Sequence, residues 1–141
     1  MNGYLLDTNV VSEARKGKRA DSNVVAWFNT VTDNELFLSV LVLGEIRKGF
    51  EQARATDPPK AQSLERWLTG LERAFEDRLL PITATIADRW GQLSAARPLP
   101  TVDGLLAATG LVHDLTFVTR NSNDVADTGV RLLNPFILRA E

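Results

Sequence analysis

The sequence predicts an α/β fold, a central parallel sheet of four to five strands flanked by helices. Short apolar runs alternate along the chain with stretches of helical periodicity, which is the pattern of βαβ units. The first run, Tyr4-Leu5-Leu6, is too short for a helix and delivers Asp7, Thr8 and Asn9 at its end. A buried strand reads as such a run, and open α/β sheets bind ligands beyond the carboxyl ends of their strands. The chain has 141 residues, of which 44% are hydrophobic, so one substantial core is within reach and the whole length, 1–141, reads as a single domain.

The strand-like runs after Tyr4–Leu6 are Leu36-Phe37-Leu38-Ser39, Leu79-Leu80-Pro81-Ile82, Thr116-Phe117-Val118-Thr119 and Val130-Arg131-Leu132-Leu133. Between the first two, Val24, Val25, Phe28 and Val31 fit a helix. Leu43, Ile46, Phe50 and Ala53 fall at helical spacing, as do Leu64, Trp67, Leu68, Leu71 and Phe75, and then Ile86, Trp90 and Leu93. Asp57-Pro58-Pro59 breaks the two central helices into a hairpin. Arg97-Pro98-Leu99-Pro100-Thr101 forms a loop before a further helix at about 102–114. The chain contains no internal repeat and no low-complexity tract.

Composition narrows the chemistry. Sixteen Lys and Arg against 18 Asp and Glu leave a net charge of -2, far from the balance expected where phosphate contacts alone supply affinity for nucleic acid. Chemistry on nucleic acid therefore needs a local basic patch or metal ions. The absence of cysteine removes disulfides, thiolate zinc sites and cysteine nucleophiles, and is compatible with a reducing cytosol. An aspartate at position 7 leaves no signal-peptide core, and no apolar run approaches the roughly 18 residues of a membrane span, so a cytoplasmic protein is expected.

Three further positions join Asp7 as candidates. Glu45 lies in the early turns of the helix after the second strand, about 120° from the centre of its apolar stripe. By itself it is a flank residue that can pair with Lys48. Asp103 opens the helix Thr101–Gly110, where the dipole favours an acid with no function required. Asp103, Ala107 and Gly110 nevertheless share one face, and those small residues let the backbone approach another element and bring the carboxylate against the sheet. The fourth position is Thr119-Arg120-Asn121-Ser122-Asn123-Asp124, whose Asn and Ser suit a turn and helix cap. In a functional reading, Asn121 and Asp124 offer oxygen ligands at a strand end, as Asp7 does. Carboxylates without His or Cys suit a hard cation such as Mg²⁺ or Mn²⁺, not zinc, and such an ion can activate water against a phosphodiester.

At this point the chain resembles a known family, the PIN-domain ribonuclease toxins of the VapC type, close to their FitB-like branch. The likeness runs through Leu5-Leu6-Asp7-Thr8-Asn9-Val10-Val11-Ser12-Glu13, Ser39-Val40-Leu41-Val42-Leu43-Gly44-Glu45-Ile46-Arg47-Lys48-Gly49, Asp103-Gly104-Leu105-Leu106-Ala107-Ala108-Thr109-Gly110 and Thr119-Arg120-Asn121, in order and over nearly the whole length. It implies a PIN-like three-layer fold. It also implies a metal-dependent endoribonuclease, the toxin of a type II toxin–antitoxin system, using Mg²⁺ with Mn²⁺ able to substitute. The acidic catalytic and metal site then falls on Asp7, Glu45 and Asp103, with Thr8 or Asn9 and Ser39 as supporting polar groups. The fourth acidic position corresponds to Asn121, or one turn later to Asp124 as a metal ligand. An amide at 121 departs from members that carry Asp there, and this keeps alive a catalytically weak RNA-binding or protein-interaction module.

The resemblance further implies a cognate antitoxin that blocks the acidic pocket, an RNA substrate, operator DNA bound only through the antitoxin, and a homodimer, with no membrane association. Trp27 and Phe28 are candidates both for core packing and for a groove that takes an antitoxin helix. Other families fit less well. A haloacid-dehalogenase-type phosphatase wants a second Asp where Asn9 stands, a receiver domain wants a late Lys that the chain lacks after residue 60, and the phosphate-binding glycine motifs are absent. His113, the only histidine, cannot supply both acid and base of a metal-independent ribonuclease, and reads as a structural residue near a helix end. The basic run Arg15-Lys16-Gly17-Lys18-Arg19 reads as a solvated turn or a phosphate-contacting patch.

Overall fold

The computed structural model describes residues 3–137. Strands β1 (Tyr4–Leu6), β2 (Leu36–Ser39), β3 (Leu79–Leu80), β4 (Thr116–Val118) and β5 (Leu132–Leu133) form one parallel sheet in the order β3-β2-β1-β4-β5. Helices α1 (Thr8–Ala14), α2 (Ser22–Phe28), α3 (Val40–Arg54), α4 (Pro58–Ala74), α5 (Ala84–Ala96) and α6 (Thr101–His113) connect and cover it. The expected α/β architecture is the observed one. The strands are shorter than the apolar runs that announce them. β3 stops at Leu80 because Pro81 has no N–H for the ladder.

The sheet is buried on both faces, and the alternation of its side chains explains how. Leu6, Leu36, Leu38, Val118 and Leu133 join Val10, Trp27, Val42, Ile46 and Leu68 from α1 to α4 in one cluster. Leu5 and Phe117 point the other way and pack with Leu106 and Ala107 of α6. A smaller cluster of Phe50, Ala53, Ala61 and Leu64 holds the α3–α4 hairpin together. The break at Asp57-Pro58-Pro59 occurs as expected: Asp57 caps α4 through the Lys60 N–H at 3.3 Å and Pro58 takes the first helical position, where its missing donor costs nothing.

Small residues on α6 permit the close approach that their shared face suggested. A Cβ on Gly110 would lie 2.8 Å from Val130 Cγ2 and 3.2 Å from the Leu115 carbonyl, so α6 sits on the sheet at a distance that only glycine allows. The early helix needs a correction. α2 ends at Phe28, so Val31 lies beyond it, and Val25 is exposed while Trp27 takes the core position, edge-on to Tyr4 at 5.2 Å between ring centroids. Val24 is fully buried, and Phe28 and Val31 pack against the same cluster as Trp27, so the apolar pattern departs from the core at Val25 alone.

Sheet order fixes where a site can form. β1 is central, with β2 on one side and β4 on the other, so the chain leaves β1 toward β2 and later crosses back to β4. The crevice beyond the carboxyl ends of β1 and β4 is the topological switch point at which such sheets bind ligands.

Candidate functional site: a carboxylate cluster at the switch point

Asp7 follows β1 with no intervening loop and is at once the strand's exit and the cap of α1. Its backbone N–H donates to the Val118 carbonyl at 2.9 Å, continuing the β1–β4 ladder, while its Oδ1 accepts from the Thr8 N–H at 2.8 Å. Oδ2 accepts from the Thr119 hydroxyl at 2.6 Å and from Asn9 Nδ2 at 3.3 Å. Asp7 is only 4% exposed, and Thr119 is fully buried. Burial is the largest influence on this carboxyl and raises its pKa; the donors from Thr119, Thr8 and Asn9 oppose that rise, and the charge of Glu45 adds to it. Three donors converge on one buried carboxylate and fix its orientation.

The other acids arrive from three different elements. Glu45 is two turns into α3, on the exposed flank that the helical wheel assigned to it, and its Oε1 accepts from the Thr8 hydroxyl. The pairing with Lys48 that its spacing offers is not among the described ion pairs; Thr8 of the neighbouring helix takes that place. Asp103 stands in the first turn of α6, half-buried, with its pKa pushed up to about 6. Desolvation is the main cause, followed by the charges of Asp7, Asp124 and Glu45. Every charge that moves Asp103 is thus another carboxylate. Asp124 lies in the 3₁₀ turn Ser122–Val125 that follows β4 and packs against α6.

Several expected residues have other employment. Asn121 occupies the cap position of that 3₁₀ turn, but its side chain makes no capping bond; its backbone N–H donates to Thr119 Oγ1 at 2.9 Å. Ser39 is buried and caps α3 by accepting from the Leu41 N–H at 3.1 Å, so its hydroxyl is committed to the helix start. His113 is exposed at the last position of α6, the opposite end from Asp103. Trp27 belongs to the core, while Phe28 lines a shallow apolar hollow with Ala14, Val24 and Val25. Thr119 is a site residue that the sequence reading places in a motif without a role of its own. The signal for it was available, since a hydroxyl residue directly after an apolar strand emerges at the same sheet edge as Asp7.

From the acids a groove runs along the α3–α4 hairpin. Thr8 and Glu45 stand at one end, Gln52 of α3 and Thr56 of the turn after it follow, and Lys60 and Trp67 of α4 form the opposite wall. Arg15, first of the basic run, lies over the Trp67 ring at 4.7 Å and donates to Ser63, which takes it out of the purely solvated turn; Lys16 pairs with Glu13 at 3.0 Å.

The donor set at the switch point is all oxygen, with neither imidazole nor thiolate, and its acids repel one another. That combination fits a hard divalent cation better than zinc. Among the described residues no three acidic, His or Cys side chains already close into a ligand cage. Mg²⁺ does not require one, since it retains waters and takes one or two carboxylates together with substrate phosphate.

Comparison with known proteins places this geometry in context. The toxin FitB of Neisseria gonorrhoeae is 30% identical over 138 residues, covering 94% of this chain and 97% of that protein. A VapC ribonuclease, Y4jK of Sinorhizobium fredii, is 28% identical over 94% of this chain and 96% of its own length. A solved structure of FitAB bound to a DNA fragment superposes with a TM-score of 0.84 at 27% identity, over 97% of this chain and 98% of the other. The family model for the PIN domain matches residues 4–129, a stretch that starts at β1 and ends past the turn bearing Asp124, and with it the chain belongs to the PIN domain family.

Proposed function

We propose that this protein is a metal-dependent endoribonuclease that acts as the toxin of a toxin–antitoxin pair, with Asp7, Glu45, Asp103 and Asp124 holding Mg²⁺ or Mn²⁺. The observation that carries this reading is the convergence of the four acids on the β1–β4 crevice, where the charges bearing on Asp103 are all carboxylates. A divalent cation bound there supplies a water of lowered pKa and neutralises charge on an in-line phosphodiester. The protein supplies the rest. Thr119, Thr8 and Asn9 hold Asp7 in one orientation before substrate arrives, which spares its reorganisation. Thr8 also donates to Glu45, so one residue at the start of α1 ties the acids of β1 and α3 together. The groove past Thr8 and Glu45 combines apolar walls with Lys60, Gln52 and Thr56, which suits an unpaired RNA segment whose bases are splayed from a helix.

Similarity to FitB over nearly the full length supports the toxin reading, and the structure of FitAB bound to a DNA fragment supports a partner protein and a DNA-bound complex. With a net charge of -2 this chain has no electrostatic surplus for DNA of its own, so operator contact belongs to the cognate antitoxin. A homodimer completes the proposed assembly.

The test is cleavage of RNA by protein purified free of its partner. Asp7→Asn and Asp103→Asn should each abolish cleavage while the fold persists; chelation should stop the wild type, Mg²⁺ or Mn²⁺ should restore it, and His113→Ala should leave the rate nearly unchanged. Products should carry 5′-phosphate and 3′-hydroxyl ends, because water attacks. Cyclic phosphates, or wild-type cleavage by either Asp→Asn variant, would overturn the assignment, and RNA binding without cleavage would favour an interaction module.

A further inference from the structure

The loop that leads into α6 and the turn that follows β4 are joined by one side chain. Arg97 closes α5 in an extended conformation, and its guanidinium takes both oxygens of Asp127, Nε to Oδ2 at 2.7 Å and Nη2 to Oδ1 at 2.6 Å. The same Nη2 donates to the backbone carbonyl of Asp124 at 2.9 Å. Arg97 begins the run Arg97–Pro100 that enters α6 two residues before Asp103. Its fork therefore fastens the lead-in to the helix carrying Asp103 onto the turn carrying Asp124, 27 residues away in the chain.

An exposed ion pair alone stabilises little, and with side chains 42% and 61% exposed Arg97 and Asp127 form such a pair. Its location gives it a different use. Asp103 and Asp124 repel each other, and the 3₁₀ turn 122–125 makes no side-chain cap to hold itself in place. Where like charges must be gathered before a cation binds, the cost of gathering them is subtracted from affinity, and a preformed brace reduces it. Arginine suits this because its planar fork satisfies a carboxylate and a carbonyl together, which an ammonium cannot do with the same geometry.

We propose that Arg97 is a positioning residue, bracing the 122–125 turn against the start of α6 so that Asp124 stands within reach of the cation held by Asp7, Glu45 and Asp103. This rests on the reading that these acids bind a divalent cation.

The experiment is Mn²⁺ binding to metal-free, full-length protein without RNA, followed by electron paramagnetic resonance, with thermal melts in parallel. Arg97→Ala should weaken Mn²⁺ binding roughly tenfold, as loss of an outer partner of a metal ligand does, and should melt close to wild type; Asp124→Ala, which removes the ligand itself, should weaken binding at least as much. The double variant should bind no more weakly than Asp124→Ala, because a brace has no effect once its object is gone. Asp127→Ala should follow Arg97→Ala, and Arg97→Lys should remain weakened. Additive losses in the double variant, or wild-type affinity in Arg97→Lys, would overturn the brace, the latter in favour of bare charge. Unchanged affinity in Arg97→Ala beside weakened Asp124→Ala would overturn it while sparing the site. Unchanged affinity in Asp124→Ala would instead refute Asp124 as a ligand and leave Arg97 nothing to position.

Discussion

Removing the charge of Asp103 should stabilise this protein while abolishing its proposed activity. The carboxyl titrates at about 6 in the folded chain against an ordinary 3.8, because burial and three neighbouring carboxylates disfavour its charged form. The folded state therefore binds this proton more tightly than the unfolded chain does. At low pH both states are protonated and Asp103 contributes nothing; as pH rises through 3.8 the unfolded chain ionises first, stability falls, and the loss is complete above about 6. The full difference between the two values corresponds to about 3 kcal/mol at 1.36 kcal/mol per tenfold. Asp103 is only half-buried, so solvent screening leaves about 1–2 kcal/mol. Asp103→Asn should then raise Tm by about 3–6 °C at pH 7.5 for a domain of this size. At pH 4.5 the gain should shrink to about a third. Scanning calorimetry in chelator at the two pH values measures it. Added Mg²⁺ or Mn²⁺ should raise the melting point of the wild type and not of the variant, since an ion that binds only the folded state stabilises it by mass action. A gain equal at both pH values, or a variant no more stable than wild type at pH 7.5, would refute the electrostatic reasoning.

Three other outcomes follow from the same geometry. Thr119→Val removes the hydroxyl that donates to Asp7 at 2.6 Å and leaves a buried carboxylate short of a donor, so it should cost about 1–3 kcal/mol in denaturant unfolding and lower RNA cleavage, whereas Thr119→Ser should restore both. Gly110→Ala puts a methyl 2.8 Å from Val130 Cγ2 and close to the backbone oxygen of Leu115, which should destabilise by about 1–3 kcal/mol in the same assay. Asn121→Asp adds a carboxylate next to the cluster and should tighten Mg²⁺ binding to the free protein, read by calorimetry; unchanged affinity would make residue 121 a turn residue only.

Much of the site was legible because local rules generate it. A strand too short to be a helix, ended by Asp7, announces a carboxylate at a sheet edge, and the first turn of α6 was readable as the place of Asp103 from the dipole preference for an acid there. The α/β alternation likewise rests on periodicity within each segment, as does the proline break between α3 and α4. The strand limits at Pro81 and Thr119 and the burial of Trp27 in place of Val25 show where that local reading loses resolution: hydrogen-bond partners and packing space belong to neighbours, not to the segment.

What the sequence by itself determined was therefore the set of elements and the residues standing at their ends. Tertiary structure decided which ends meet. Asp7 and Thr119 are 112 residues apart and touch because β1 and β4 are adjacent in register, Leu6 opposite Val118. Thr8 reaches Glu45 across 37 residues because α1 and α3 pack on the same face of the sheet. Asp124 raises Asp103, and Arg97 meets Asp124, because the small residues of α6 let it lie against β4 and the turn beyond. None of these pairings has a periodic or compositional signature. They follow from strand order and from how closely the helices approach the sheet, which are set by hydrophobic burial summed over the whole chain.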